Sequence, residues 1–175
     1  MKKDRDLSRL FAKGQQLETS VSTSSIFSKD SGLHLISYKV AVGGKTTVID
    51  NIAVYGSTIL VLESKNYTMI EGEYGKPFWR GKGARRYFSI HNPINQNQYH
   101  VKILNQYLVS KGLKVAQFNI QHYVIVPDKC QLDVCSVVRK NLLHKSELDH
   151  LKNKLAFNNP EIDPELSRII KEALF

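Results

Sequence analysis

Val48-Ile49-Asp50-Asn51-Ile52-Ala53-Val54 and Thr58-Ile59-Leu60-Val61-Leu62-Glu63-Ser64-Lys65, joined through Tyr55-Gly56-Ser57, decide the fold of this chain. Both runs are apolar, rich in β-branched residues and of strand length. Gly56-Ser57 fits a two-residue hairpin turn with glycine first, the type II′ geometry whose twist suits an antiparallel pair. With Tyr55 facing Thr58, counting back along both strands puts Asp50 directly across from Glu63, and Lys65 across from Val48, diagonal to Asp50. Side chains alternate faces along a strand, so Glu63 and Lys65 share a face and Ser64 takes the other. Directly opposed residues have Cβ atoms about 4.5–5.5 Å apart, and like charges there repel. Positive charge is therefore expected between Asp50 and Glu63. Lys65 supplies part of it. A divalent cation with oxygen ligands supplies more, and Mg²⁺ is commonly held by one or two carboxylates together with phosphate and water. The competing reading is a half-buried ion cluster that only shapes the sheet.

Working outward, Leu33 to Val42 alternates as a strand, Gly43-Gly44 turns the chain, and Lys45 to Val54 returns it. Upstream, residues 3–29 read as two helical pieces broken at Lys13-Gly14. The first carries Leu7, Leu10 and Phe11, the second Leu17, Val21 and Ile26. Glu18 falls at the edge of the second piece's buried face, from where it can look toward the sheet or stay in solvent. Downstream, shorter strands are expected at Tyr67 to Ile70, Phe78 to Arg80 and Arg86 to Ile90, completing a mostly antiparallel meander. Asn92-Pro93 starts a helix, asparagine as N-cap and proline at the first helical position, that runs to about Ser110 and stops at Gly112. Ile103, Leu104, Tyr107 and Leu108 form its apolar stripe, and Gln96 and His100 share another line at i, i+4 spacing. His100 either meets a phosphate or is hydrogen-bonded scaffold. Leu113 to Phe118 and Gln121 to Val126 read as two further strands, Val134 to Lys154 as strand into helix, and Glu161 to Leu174 as a terminal helix.

A length of 175 residues fits one domain with a continuous core, spanning 1–175. Charged residues at 23% against 42% hydrophobic are values of a globular rather than a disordered chain. No apolar run approaches the about 18 residues of a membrane span. No apolar segment follows the charged stretch from Met1 to Asp6, so the expectation is a cytoplasmic protein with no membrane partner. Cys130 and Cys135 have no partner pair nearby, which fits reduced, buried thiols better than a zinc site. A net charge of +9 and a pI near 9.5 favour an anionic partner, nucleic acid first. The basic residues gather at Lys76, Arg80, Lys82, Arg85 and Arg86, interleaved with Gly75, Gly81 and Gly83 and with Phe78, Trp79, Tyr87 and Phe88. A glycine-rich basic loop with aromatics can follow a phosphate backbone and stack an unpaired base. The duller account is a solvated hairpin whose aromatics belong to the core. No Walker-type phosphate loop, internal repeat or low-complexity tract is present.

Taken together, Val48-Ile49-Asp50, the run from Ile59 through Lys65 to Asn66-Tyr67, Trp79, and Asn92-Pro93-Ile94-Asn95-Gln96-Asn97 resemble the nuclease-related domain family, NERD. The resemblance covers about residues 14–126 and leaves a C-terminal helical extension at about 138–175. That family is grouped with the PD-(D/E)xK nuclease superfamily. The resemblance thus implies an α/β, restriction-endonuclease-like fold, a central mixed sheet flanked by helices, and a phosphodiesterase site dependent on Mg²⁺ or Mn²⁺. By position, Asp50 matches the first acidic residue, Glu63 and Lys65 the E-x-K element, and Gln96 the glutamine of the helical N-P-x-x-Q stretch. Glu18 matches an N-terminal glutamate, although Leu17 stands where many members have glycine. Many members have histidine after the first aspartate, where this chain has Asn51. On this reading Asp50, Glu63 and the backbone carbonyl of Ser64 hold the metal, Lys65 orients a water or takes its proton, and Gln96 and Glu18 support them. The implied protein is a nuclease acting on nucleic acid, DNA foremost, and compatible with a homodimer or a separately encoded helicase partner. The competing class is a catalytically inactive NERD-fold module that binds nucleic acid or protein.

Overall fold

Tyr55 pairs with Thr58, Gly56 takes φ 56° and Ser57 stays outside the left-handed region, which is the II′ hairpin that the sequence implies. The computed structural model describes residues 16–17, 20–21, 33–83, 86–151, 153 and 164–175. The expectations for Glu18, for Arg85 and for most of the N-terminal helical pieces lie outside those residues, although Gln16, Leu17, Ser20 and Val21 are helical.

In chain order the elements are β1 (Leu33–Val42), β2 (Lys45–Tyr55), β3 (Thr58–Ser64), β4 (Met69–Gly72), β5 (Phe78–Lys82), β6 (Tyr87–His91), α1 (Pro93–Ser110), β7 (Asn119–Val126), β8 (Gln131–Val134), the short α2 (Ser136–Arg139), β9 (Leu142–His144) and α3 (Pro164–Leu174). The central sheet has the order β1-β2-β3-β7-β9, antiparallel through β3 and parallel from β3 to β9. All seven residues of β3 are buried, because this strand has a neighbour on each side and apolar layers on both faces. One layer joins Ile52 and Val61 to Ile103, Leu104 and Leu108 of α1 and to Ile170 of α3. The other joins Leu60, Leu62 and Ile125 to Leu17, Val21 and Leu148. This is the expected α/β architecture, a mixed sheet flanked by helices.

The two ends of α1 follow from its sequence. Asn92 Oδ1 accepts the Ile94 N–H at 2.9 Å and the Asn95 N–H at 3.3 Å, with Pro93 at the position that needs no donor. At the other end Gly112 takes φ 95°, and the Gly112 and Leu113 N–H groups return to the Val109 and Leu108 carbonyls, a Schellman motif.

Three expectations are corrected. The strands after β3 do not extend the meander. β4, β5 and β6 leave it and form a second sheet of order β6-β5-β4-β8, whose inner residues Ile70, Trp79 and Ile90 pack with Val124, Val126 and Leu142 of the central sheet. The stretch from Leu113 to Phe118 is no strand: Val115–Gln117 is a 3-10 turn, closed by Gln117 Oε1 accepting the Lys114 N–H at 2.7 Å, with Val115 60% exposed. Between β8 and the helical residues 148–151, where the expected helix is found, the chain breaks into α2, β9 and a 3-10 turn at Lys145–Glu147, where Glu147 takes the His144 N–H at 2.6 Å and Arg139 at 2.7 Å. Of the two thiols only Cys130 is buried, and burial pushes it up to about 11, while Cys135 is exposed at the start of α2.

Gly72 has no room for a side chain. A Cβ there would lie 2.1 Å from Trp79 Cδ2. Gly72→Ala is expected to displace the Trp79 ring and cost about 1–3 kcal/mol. Since Trp79 is the chain's only tryptophan and is buried, a red-shifted emission spectrum and an earlier urea midpoint together check this.

Candidate active site

Asp50 occupies an interruption in the sheet. The β2–β3 ladder runs from Tyr55–Thr58 to Asn51–Leu62 and stops. The β1–β2 ladder omits the Ser37–Asp50 rung, and Ser37 has φ 50°, a left-handed value for a residue with a side chain. Leu33 and Leu35 pack on the same core as Tyr38, Val40 and Val42, and Ile49 on the same core as Ile52 and Val54. Strict alternation cannot bring odd and even positions to one face. Each strand therefore carries one irregular residue, Ser37 in β1 and Asp50 in β2.

The expected Asp50–Glu63 and Val48–Lys65 rungs are thus replaced by other bonds. Asp50 Oδ2 accepts the Ser64 backbone N–H at 2.8 Å, and the Lys65 N–H, on the opposite edge of the strand, continues the parallel ladder to the Ile125 carbonyl of β7 at 2.9 Å. Asp50 nevertheless stays beside the Glu63 group, because its Oδ2 is bonded to the N–H of Ser64, the residue between Glu63 and Lys65.

Glu63 is the centre of the group, at 3% exposure. Its Oε1 accepts Lys65 Nζ at 2.6 Å and Gln96 Nε2 at 2.7 Å. His100 Nε2 lies 3.3 Å from Oε2, close enough to act on its charge, but among the described residues no donor meets Oε2 in hydrogen-bond alignment. The imidazole is held from behind by Thr47 Oγ1, 2.6 Å from its Nδ1. Burial alone would raise the Glu63 carboxyl, but His100 and Lys65 outweigh it and hold it below the usual carboxylate range. Burial would likewise lower Lys65, yet Glu63 first, then Tyr67 and Asp50, keep the ammonium above its ordinary value. The group therefore holds a buried carboxylate beside a half-buried ammonium.

Among the described residues no three His, Cys, Asp or Glu side chains lie close enough to cage a metal. The donors expected from the sequence are Asp50, Glu63 and the Ser64 carbonyl, an all-oxygen set. Such a set suits Mg²⁺ or Mn²⁺ rather than zinc, with the remaining positions left to water and phosphate. Glu63 Oε2 fits that role, being a buried carboxylate oxygen without an aligned proton donor.

The structure brings Asp50, Glu63, Ser64, Lys65 and Gln96 together. Lys76, Arg80, Lys82 and Arg86 lie elsewhere, on or beside the β5–β6 hairpin of the second sheet. That segment is a hairpin rather than a glycine-rich loop, and its aromatics divide: Trp79 is core and Phe88 half-buried, while Phe78 and Tyr87 are exposed. His100 and Thr47 belong to the Glu63 group without having been assigned to it from sequence. The i, i+4 spacing from Gln96 was the signal for His100. Thr47 gave none, since its partner lies 53 residues away.

Asp50→Ala is expected to strand the Ser64 N–H and cost about 1–3 kcal/mol. Asp50→Asn keeps an oxygen acceptor in place and is expected to cost much less, which urea denaturation of the two variants measures.

The family model of the nuclease-related domain (NERD) matches residues 13–127, more than half of the chain. No curated protein and no solved structure gives a significant match. Because the family match runs from before β1 to the end of β7, through every element that builds the Glu63 group, the chain belongs to the nuclease-related domain family, consistent with the PD-(D/E)xK nuclease superfamily.

Proposed function

We propose that this chain is a nuclease that hydrolyses phosphodiester bonds of nucleic acid, DNA foremost, with Mg²⁺ or Mn²⁺ held by Asp50, Glu63 and the Ser64 carbonyl. The observation that carries the reading is the buried Glu63 carboxylate, whose Oε1 is engaged by Lys65 and Gln96 while Oε2, 3.3 Å from His100 Nε2, has no aligned donor among the described residues. When bound, a divalent cation neutralises charge building up on the phosphoryl oxygens and acidifies water. Gln96 and Lys65 keep Glu63 in one orientation through Oε1. Lys65, held as an ammonium, is suited to donate a hydrogen bond to a water or a phosphate oxygen. Asp50 contributes a second carboxylate while its Oδ2 anchors the end of β3 through Ser64.

One observation favours a second reading, an inactive NERD-fold module that binds nucleic acid or protein. The Lys65–Glu63 pair, at 2.6 Å, already balances the buried carboxylate.

Purified protein incubated with linear, circular and single-stranded DNA and with RNA is expected to cleave in Mg²⁺ or Mn²⁺ and not in chelator. Asp50→Asn, Glu63→Gln and Lys65→Met are each expected to lower the rate roughly 100-fold or more. Cleavage that survives all three substitutions would discard the mechanism. Titration calorimetry with Mn²⁺ separates the two readings, since heat that vanishes in Asp50→Asn and Glu63→Gln belongs to the enzyme, and no heat in the wild type belongs to the inert module.

A further inference from the structure

The second sheet has two unlike faces. Its inner face is core, whereas the outer face is solvated. The register sets Glu71, Arg80 and Ser89 in one row of that outer face. Phe78 beside His91 lies to one side of this row, and Lys82 beside Tyr87 to the other. A solvated sheet face is ordinarily polar. This one presents Phe78 at 56% and Tyr87 at 45% exposure, with Tyr74, at 74%, close by on the turn after β4. The Phe78 and His91 rings stand 4.8 Å apart. Arg80 and Lys82 both lie over the Tyr87 ring, 4.6 and 5.1 Å from its centroid. An open basin of about 830 Å³ lies over part of this face, with Tyr74, Lys76, Phe78, Arg80 and Asp133 among its walls.

We propose that this outer face is a binding platform for single-stranded nucleic acid, with unpaired bases stacked on Phe78, Tyr74 and the Tyr87–Arg80 pair and phosphates met by Lys76, Lys82 and Arg86. It rests on the nuclease reading and narrows the substrate to unpaired strands.

Aromatic rings and guanidinium planes on a sheet face engage a base only through its flat surface, which a duplex hides in its stack. The rows of Phe78 and Tyr87 are four residues apart along β5, about 13 Å, so the two rings serve different bases. The charge on this face is mixed: Glu71, Glu73 and Asp133 line the basin together with Lys76 and Arg80, and Arg80 pairs with Glu71 at 2.9 Å, so the cations offered to phosphates are Lys76 within the basin and Lys82 and Arg86 outside it. Asp133, on the same face, is placed to accept an amino group of a base, as carboxylates do from cytosine. The platform is also tied to the Glu63 group. Asn92, the N-cap of α1, donates its Nδ2 to the Lys76 carbonyl and its N–H to the Pro77 carbonyl, each at 2.9 Å, and one turn along α1 Gln96 reaches Glu63.

The test is fluorescence anisotropy of the full chain with labelled single-stranded DNA, single-stranded RNA and a duplex of equal length, in chelator. The wild type is expected to bind single strands more tightly than duplex. Phe78→Ala and Tyr87→Ala are each expected to weaken single-strand binding roughly fivefold or more with duplex binding unchanged, while Phe78→Trp and Tyr87→Phe retain it. These side chains are exposed, and thermal melting confirms that the variants fold. Single-strand affinity unchanged in both alanine variants, or a wild-type preference for duplex, overturns the platform and assigns the face to another partner such as a protein. Chelator removes metal-dependent cleavage from this readout. A protein that binds single strands through these rings but never cleaves would therefore lose the nuclease reading and keep the platform.

Discussion

A carboxylate withdrawn from water at the end of β3 is the constraint around which this structure is arranged. Leaving Glu63 buried without compensation would cost several kcal/mol, so charged and polar partners have to reach it from its own strand end and from α1. Lys65 does so from two residues along the chain, Gln96 and His100 from α1, and Thr47 steadies His100 from β2. These contacts fix the rotation of α1 over the sheet as firmly as its apolar stripe does. The face that meets Ile52 and Val61 must also bring residues 96 and 100 to one oxygen pair. Asn97 adds to the same fit, since its buried Nδ2 donates to the Val61 and Tyr123 carbonyls of β3 and β7.

The cost of gathering polar groups there shows in the backbone. Near Asp50 the sheet gives up regular pairing on both sides of β2, and Ser37 takes a conformation that side chains disfavour. What results is a carboxylate freed from simple alternation, able to hold the Ser64 N–H and to act electrostatically on Lys65. The interruption also lets both halves of β1 and β2 present their apolar residues to the same helical layer. One irregularity thus serves packing and site together.

The second sheet gives the site a neighbour with a different chemistry. Its inner face seals the lower end of the central sheet through Ile70, Trp79 and Ile90, with Gly72 left bare so that the indole can lie against the backbone. Its outer face leaves rings and cations in solvent. The shared residue is Asn92, which caps α1 and holds the start of β5 at once.

The hairpin, the cap of α1, its Schellman stop and the shared face of Glu63 and Lys65 were legible in the residues themselves, because each depends on a local period, a glycine that tolerates positive φ, or a side chain that bonds its own backbone, whereas Gln96 entered the site only through the family resemblance. The family resemblance was legible for the same reason, being carried by short motifs. What only the tertiary structure decided were contacts between segments far apart in sequence: Thr47 with His100, the break in alternation at Ser37 and Asp50, and the departure of β4, β5 and β6 into a sheet of their own. Strand patterns state which residues seek burial but not which partner strand supplies it. The amphipathic segments after β3 fit an extended meander and a second sheet equally well, until packing against Val124, Val126 and Leu142 chooses between them.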